Sequence, residues 1–496
     1  MLLNNTEFSK LNFPNKPPQL TNLEHNTSRY DWHGHFCHDP AIFYDESDHL
    51  FYLYSTDAGP NAINPAGGQI RFSRDLIDFN YIDVALEDGV PKEVKEYTNA
   101  SGIWAPDIVK VDKEYRLYYS ASTFGSQQSA IGLAVSNSPT GPFIHKGFVI
   151  KTTPDSPVNA IDANIVIEEE TGCHYLVYGS FWGGIRILKL DNDTGFALDD
   201  GYGISIAKRN KSVDGAIEGP YIRYNSDTKY YYLFVSYESL SNHYNVRVAR
   251  SKSIIGPYLD YFGNDMTSQD GNPYEIGLKI TTGYSFKEGT GWLAFGHNSV
   301  LHRKDSNDWF LVCHARTEAN PYFHSLHVHK MLWTIDGWPI ISPFQYAGEG
   351  MQPIPKEVIP GTYARVTFEQ NMDHIITPFT TMELQTDGTC TLDFTPVQCA
   401  KDYSNTLPEK FRTHEPLLVP AALEFSSLQQ DHTKENAGKI LLDGTWELDG
   451  YTLTIKYEST IETIFLLPSW DYEEDTNTLA LTGMNQNGIC IWGKRL

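Results

Sequence analysis

His38-Asp39-Pro40-Ala41-Ile42-Phe43-Tyr44-Asp45-Glu46-Ser47-Asp48-His49-Leu50-Phe51-Tyr52-Leu53-Tyr54 is the stretch whose reading decides the fold. A carboxylate leads into a short apolar, β-type segment, a polar turn spans Asp45 to His49, and a second strand follows from Leu50. That is a hairpin with an acid at its mouth. Weaker copies recur down the chain. Trp104-Ala-Pro-Asp-Ile-Val-Lys leads into Tyr115-Arg-Leu-Tyr-Tyr, and Ile161-Asp-Ala-Asn-Ile-Val-Ile into Tyr175-Leu-Val-Tyr. Glu218-Gly-Pro-Tyr-Ile-Arg-Tyr leads into Tyr231-Tyr-Leu-Phe, and His297-Asn-Ser-Val-Leu into Trp309-Phe-Leu-Val. Aligned on one aliphatic residue, the anchors are Ile42, Ile108, Ile165, Ile222 and Val300, in steps of 66, 57, 57 and 78 residues. A repeat of that size built from short strands signals a propeller, whose four-stranded blades need about 40–50 residues plus loops. Five copies imply five blades. If each first strand lines the central channel, the residues just before the anchors meet at the axis: Asp39, Asp162, Glu218 and His297.

The chain has 496 residues, long for one domain and sufficient for two. Thirty Tyr and ten Trp suit β-structure and surfaces that stack on sugar rings. A formal net charge of −24 argues against nucleic acid, whose binding needs Lys and Arg, and against anionic membranes or polyanionic substrates. Six cysteines, Cys37, Cys173, Cys313, Cys390, Cys399 and Cys490, include no Cys-x-x-Cys pair and read as free, buried thiols. The first ten residues have neither a basic n-region nor an apolar h-region, and no window approaches a membrane span. As it stands, the chain is expected in the cytoplasm, or outside the cell if a signal segment preceded it.

Residues 1–30 are polar, contain Pro14, Pro17 and Pro18, and read as an arm lying over the fold or partly disordered. Residues 31–345 hold the five copies, with no convincing amphipathic helix between them. The Gly-, Asn- and Asp-rich loop after Tyr258 accounts for the longest step; it reads equally as a wall of a substrate entrance and as a surface insertion. Residues 346–360, with Pro353, Pro355 and Pro360, read as a linker. Residues 361–496 return to alternating strands and predict a small antiparallel barrel or sandwich. The fold class is therefore all-β, a propeller followed by a smaller β domain.

Glycoside hydrolysis needs one carboxylic acid to protonate the leaving oxygen and one carboxylate to activate water or attack carbon. A third acid nearby can position the first and raise its pKa. Asp39, Asp162 and Glu218 fill three such roles if they converge. A single Asp at a strand start is usually a turn cap; carboxylates in three copies of one repeat, at nearly matching offsets, point to function. Glu218 stands four residues before its anchor, whereas the two Asp residues stand three before theirs.

These phrases, His38-Asp-Pro, Trp104-Ala-Pro-Asp, Ile161-Asp-Ala-Asn, Glu218-Gly-Pro-Tyr and Gly296-His-Asn-Ser, resemble glycoside hydrolase family 43, whose members are five-bladed propellers. Ser122-Thr-Phe-Gly-Ser-Gln-Gln-Ser-Ala-Ile-Gly-Leu-Ala and Tyr178-Gly-Ser-Phe-Trp-Gly-Gly-Ile resemble its branch that cleaves α-1,5-linked arabinan, and the tail resembles the β-barrel appended to longer members. The resemblance implies Asp39 as general base, Asp162 as orienting and pKa-tuning acid, and Glu218 as general acid. It implies substrate contacts at Asp39, Gly125, Asn159, Ala160, Ile161, Asp162, Gly179, Ser180 and Phe181. Trp104 reads as a stacking platform or, equally, as a core residue of the second blade. Arg316 reads as a reach to a sugar hydroxyl or as an internal ion pair. A lone His is usually a hydrogen-bonded core residue. In the resemblance His297 instead holds a hydrated calcium ion in the channel, with waters completing the shell of about six to eight oxygens.

The expected partner is therefore an arabinan polysaccharide or oligosaccharide, with no nucleic acid and no membrane; nothing in the sequence sets an oligomeric state. A β-xylosidase or α-L-arabinofuranosidase of the same propeller family fits the same motifs. A fructan-cleaving propeller would carry Asn-Asp-Pro and Arg-Asp-Pro in place of His-Asp-Pro and Ile-Asp-Ala. A non-catalytic glycan- or protein-binding propeller would not need convergent acids. Because Asp39 and Glu218 come from the first and fourth of five copies, they are expected to face each other across a channel, at the inverting spacing of about 6.5–9.5 Å rather than about 5–5.5 Å.

Overall fold

In the computed structural model, residues 7–18, 28–58, 66–287, 289–319, 321, 323–371, 374–397 and 440–496 are described. Five four-stranded antiparallel sheets follow one another in strict chain order. Blade one is Ala41–Asp45, Leu50–Ser55, Gln69–Ser73 and Asn80–Val84. Blade two is Trp104–Val111, Glu114–Ala121, Ser129–Ser136 and Ile144–Thr152, and blade three Asn164–Ile167, His174–Tyr178, Ile185–Lys189 and Ile204–Ala207. Blade four is Ile217–Asn225, Tyr230–Tyr237, Asn245–Ser251 and Leu278–Lys279, and blade five Trp292–Arg303, Asp308–Thr317, His324–Trp333 and Pro339–Ile341. The first strands lie side by side around the ring, blade five returning to blade one.

The aliphatic anchors sit in identical registers. Ile42 pairs with Leu53, Ile108 with Leu117, Ile165 with Leu176, Ile222 with Leu233 and Val300 with Leu311. All five leucines are fully buried. Each blade hides one face against the next, so the apolar residues form clusters between blades rather than one centre. The ring closes through Ile42, Phe51 and Leu53 of blade one packed on Leu301, Phe310, Val312 and Leu326 of blade five. Backbone contacts reinforce the seam, with Leu326 N–H donating to Gly34 O and a His35–Ser325 bridge.

Among the described residues one α-helix interrupts the propeller, where no convincing amphipathic helix was expected: Lys92–Thr98, between blades one and two. It buries only Val94 and Thr98, four residues apart, and ends at Asn99 with φ 58°. Two turns are too few for a 3.6-residue period to stand out. Ile70-Arg-Phe, Ile131-Gly-Leu and Val246-Arg-Val lie in the third strands of blades one, two and four, and a fourth strand follows each.

The tail is a closed eight-stranded barrel: Gly361–Thr367, Phe379–Leu384, Thr389–Val397, Leu441–Asp449, Thr452–Tyr457, Thr460–Asp471, Thr476–Asn485 and Cys490–Arg495, the first strand pairing with the last. Closure leaves no free edge to pair with other chains. One apolar cluster runs through both domains: Phe295, Trp338 and Ile340 of blade five meet Phe368, Leu467 and Trp492 of the barrel. The proline-rich stretch before the barrel is not a loose tether, because Ile354, Val358 and Ile359 are buried in the barrel's own core. Leu11 joins that core, with Phe8 and Phe13 packed on it. Cys37, Cys313, Cys390 and Cys490 are buried free thiols and Cys173 is partly exposed; Cys399 lies outside the described residues.

Candidate active site

Three residues before each anchor, every blade places a residue in the left-handed backbone region: Asp39 (φ 53°), Ala105 (33°), Asp162 (62°), Gly219 (56°) and His297 (46°). Asp and Gly are among the residues that visit that region most readily. Three residues beyond each buried leucine stand Thr56, Ser120, Gly179, Ser236 and His314. Four of these five accept the N–H of the next left-handed residue in the ring. Thr56 Oγ1 accepts from Ala105, Ser120 Oγ from Asp162, Ser236 Oγ from His297 and His314 Nδ1 from Asp39, at 2.7–3.2 Å. At the Gly179 position the Asp162 carboxylate substitutes, its Oδ2 accepting Gly219 N–H at 3.1 Å. The chain is thus pinned where it turns toward the axis.

Gly219 explains why the glutamate stands one place early. A Cβ there would meet the His297 ring at 3.1–3.2 Å, a crowding that favours a bare turn position. The acid is carried on the preceding residue, and glutamate's extra methylene restores its reach.

Asp39 is buried. Its Oδ2 accepts from Thr56 Oγ1 at 2.6 Å, and His297 Nδ1 stands 3.0 Å from its Oδ1. His38 Nδ1 lies 3.0 Å from Oδ2 but outside hydrogen-bonding angles. Burial works to raise the Asp39 pKa, yet the facing imidazoles of His297 and His38 hold it well below the usual carboxylate range. Asp162 goes the other way: burial, joined by the charges of Glu218 and Asp39, raises it to about 7 against the pull of His297. Burial also raises Glu218, opposed chiefly by a hydrogen bond from Tyr244. For His297 burial favours the neutral ring, but Asp39 and Asp162 outweigh it and lift the pKa to about 9. One carboxylate held ionised beside two whose pKa values are raised is the separation that acid–base chemistry uses.

Other residues singled out from the sequence divide in two. Asn159, Ala160 and Ile161 lead directly into Asp162 and are buried; Gly179 N–H donates to Ile161 O. Gly179 cannot carry a side chain, since a Cβ would stand 2.2 Å from Gly184 O. Ser180 Oγ donates to Glu218 Oε2 at 3.0 Å, so that hydroxyl is engaged with the acid, and Phe181 N–H donates to Ile217 O. Trp104, half-buried, opens its strand at the offset Glu218 has in blade four, consistent with a wall of the channel mouth. Gly125, in contrast, is exposed in a loop, with nothing within 4 Å of where its side chain would be. Arg316 Nη1 donates to Pro321 O. The loop after Tyr258 packs on the segment entering blade four, with Lys208 N–H donating to Met266 O and Asn210 Nδ2 to Gln269 O.

Sequence reasoning missed Tyr244, whose hydroxyl donates to Glu218 Oε1 at 2.8 Å, and the cluster of His38, His314 and His324 behind Asp39. The three imidazoles are buried, with ring centroids 4.0–4.5 Å apart. The tautomer of His314 argues against a metal centre there. His314 Nδ1 accepts the Asp39 N–H, so its Nε2 carries the proton and offers no lone pair.

With its pKa at about 9 the free His297 ring carries a proton on both nitrogens, so a cation held here would have to displace the one on Nε2. Its Nδ1 faces Asp39, which leaves Nε2 as the ring atom a cation would take. Three carboxyl groups surround the imidazole, and a hydrated calcium ion would favour their ionised forms.

A family model for glycosyl hydrolases family 43 matches residues 34–339, and one for a C-terminal lipocalin-like domain matches residues 421–493. An extracellular endo-α-(1→5)-L-arabinanase of Thermotoga petrophila is 30% identical over 92% of this chain and 93% of its own length. A second protein of that description, from Bacillus subtilis, is 29% identical over 92% of each. The crystal structure of an endo-1,5-α-L-arabinanase from Thermotoga petrophila superposes with a TM-score of 0.73 at 28% identity, covering 93% of this chain and 98% of that one.

Proposed function

The chain belongs to glycosyl hydrolase family 43, and from that premise we propose that it is an endo-acting hydrolase of α-1,5-L-arabinofuranosidic bonds in arabinan, working with inversion. The observation that carries the reading is the convergence of Asp39, Asp162 and Glu218 from three blades, with pKa values pushed in opposite directions. Asp39, kept ionised by His297, takes the proton of a water attacking the anomeric carbon. Glu218, whose proton burial helps retain, gives it to the leaving oxygen. Asp162 holds the Gly219 N–H and so orients the backbone that carries Glu218. The endo assignment follows the relatives that match across both domains. Their description as extracellular suits a polymer too large to enter a cell, and the same location is proposed here. His297 would hold calcium through Nε2, and that ion would supply positive charge beside the three carboxylates.

Incubation with linear arabinan tests the whole reading. Proton NMR should show the freshly released anomeric centre in the β-configuration, alongside a spread of oligomers. Asp39→Ala and Glu218→Ala should each lose most of kcat with little change in binding. Retained α-configuration, or an arabinosyl adduct on Asp39, would overturn inversion. A single product cut from one end would overturn endo action.

A further inference from the structure

Tyr244 stands just ahead of the third strand of blade four, and its ring is buried. Its hydroxyl donates to Glu218 Oε1 at 2.8 Å, while Ser180 Oγ donates to Oε2 at 3.0 Å. Each oxygen of the carboxyl thus receives one donor, from two different loops. The tyrosine has little freedom. Its ring stacks on His314 at 5.7 Å and 16°. It also lies so close to Gly296 that a Cβ there would sit 2.0 Å from Cδ1 and 2.3 Å from Cε1. Gly296 is therefore bare because a ring occupies the space a side chain would take. Burial keeps the phenol protonated, so it remains a donor.

Both donors point at a group whose task is to lose a proton. A hydroxyl bonds a carboxylate more strongly than it bonds a neutral acid. As the proton passes from Glu218 to the leaving oxygen, negative charge grows on the carboxyl and the Tyr244 bond tightens. A bond that is stronger in the transition state than in the bound substrate raises kcat rather than affinity.

We propose that Tyr244, seated by Gly296, is a positioning residue that orients Glu218 and stabilises it as it ionises. The inference rests on the reading of Glu218 as the general acid. It makes a demand that a purely structural role does not: the contribution must depend on how much protonation the leaving group needs. A sugar alkoxide needs a full proton, whereas a nitrophenolate needs almost none.

The test compares two substrates, an arabino-oligosaccharide and a 4-nitrophenyl arabino-oligosaccharide filling the same glycone subsites. Tyr244→Phe keeps the ring and removes only the hydroxyl. It is expected to lower kcat on the oligosaccharide roughly ten- to a hundred-fold, the range for a hydrogen bond to a charged group, with KM little changed. On the nitrophenyl substrate most of that loss should vanish. Gly296→Ala should give the same pattern by displacing the ring. Adding Tyr244→Phe to Gly296→Ala should then cost nothing further, since both remove one interaction. If Gly296→Ala does not fold, the Tyr244→Phe comparison decides alone. Equal losses on both substrates, or no loss on either, would overturn the proposal. Glu218→Ala separates the two ideas. If the nitrophenyl substrate fails to rescue Glu218→Ala, the acid assignment is wrong. If it rescues Glu218→Ala while Tyr244→Phe loses equally on both substrates, the role of Tyr244 alone is wrong.

Discussion

Left-handed backbone costs roughly 1–2 kcal/mol for an ordinary residue, yet all five blades adopt it at one position. The return is direction: the turn carries the functional side chains to the axis, and a neighbouring polar group receives each freed N–H. The acids were legible because they repeat at matching offsets. The one-residue displacement of Glu218 was visible but unexplained, since its cause is a ring from another blade, His297, pressing on Gly219. Tyr244 was invisible because its place in a loop carries no repeat. At this scale the metal is testable. Treatment with a calcium chelator should lower both the melting temperature and the activity of the unaltered protein, and calcium should restore them. His297→Ala should start at the lowered values and ignore chelator. Unchanged melting of the unaltered protein in chelator would sink the assignment.

Between elements, a second set of cross-blade bonds lies one residue before the anchors. Asp107 Oδ2 accepts Ile165 N–H, Asn164 Oδ1 accepts Ile222 N–H and Ser299 Oγ accepts Ile42 N–H, at 2.7–3.1 Å. Asn164 also donates to Asp107, linking blades two, three and four. Strand pairing within blades could be read from alternation; these side-chain latches between blades could not, because a lone Asp, Asn or Ser at a strand start looks like a cap. Asn164→Ala leaves the buried Ile222 N–H unmatched and should destabilise by about 1–3 kcal/mol in denaturant titration. A change within error would show that the latch contributes nothing. The short connection to the barrel holds a second testable group. Burial raises Glu349 to about 7, although its Oε2 accepts Ala347 N–H. A carboxyl with a raised folded pKa favours the fold while protonated. Its contribution is present below about 4.5, the unfolded value, and is lost as pH rises through about 7. Glu349→Gln should therefore melt higher than the unaltered protein at pH 8, with the gap closing toward pH 5. An equal gap at both values would refute the assignment.

Across the whole molecule, propeller and barrel share one apolar cluster. Trp492 is its hinge pin: Nε1 donates to Ile341 O at 2.5 Å, and the ring meets Tyr284, Phe295 and Phe368. Arg247 and Lys279 of blade four add bonds to Gln370 and Glu369 O. Trp492→Ala should cost about 3–5 kcal/mol and split one calorimetric transition into two. A single transition at the original temperature would contradict a shared core. Two domains were legible from the change of texture near Pro353, but their union was not, because it is made by residues far apart in sequence whose alternation fits a free-standing barrel equally well. The opening segment has a temporal consequence. Phe8, Leu11 and Phe13 complete the barrel's core, yet they leave the ribosome long before any barrel strand exists. At ordinary rates of synthesis the interval is tens of seconds. Throughout it these apolar residues have no native seat, while the propeller beside them assembles blade by blade. These residues, made before the whole propeller, are thus among the last to dock, and the finished barrel acts as the clasp that covers an exposed, sticky segment.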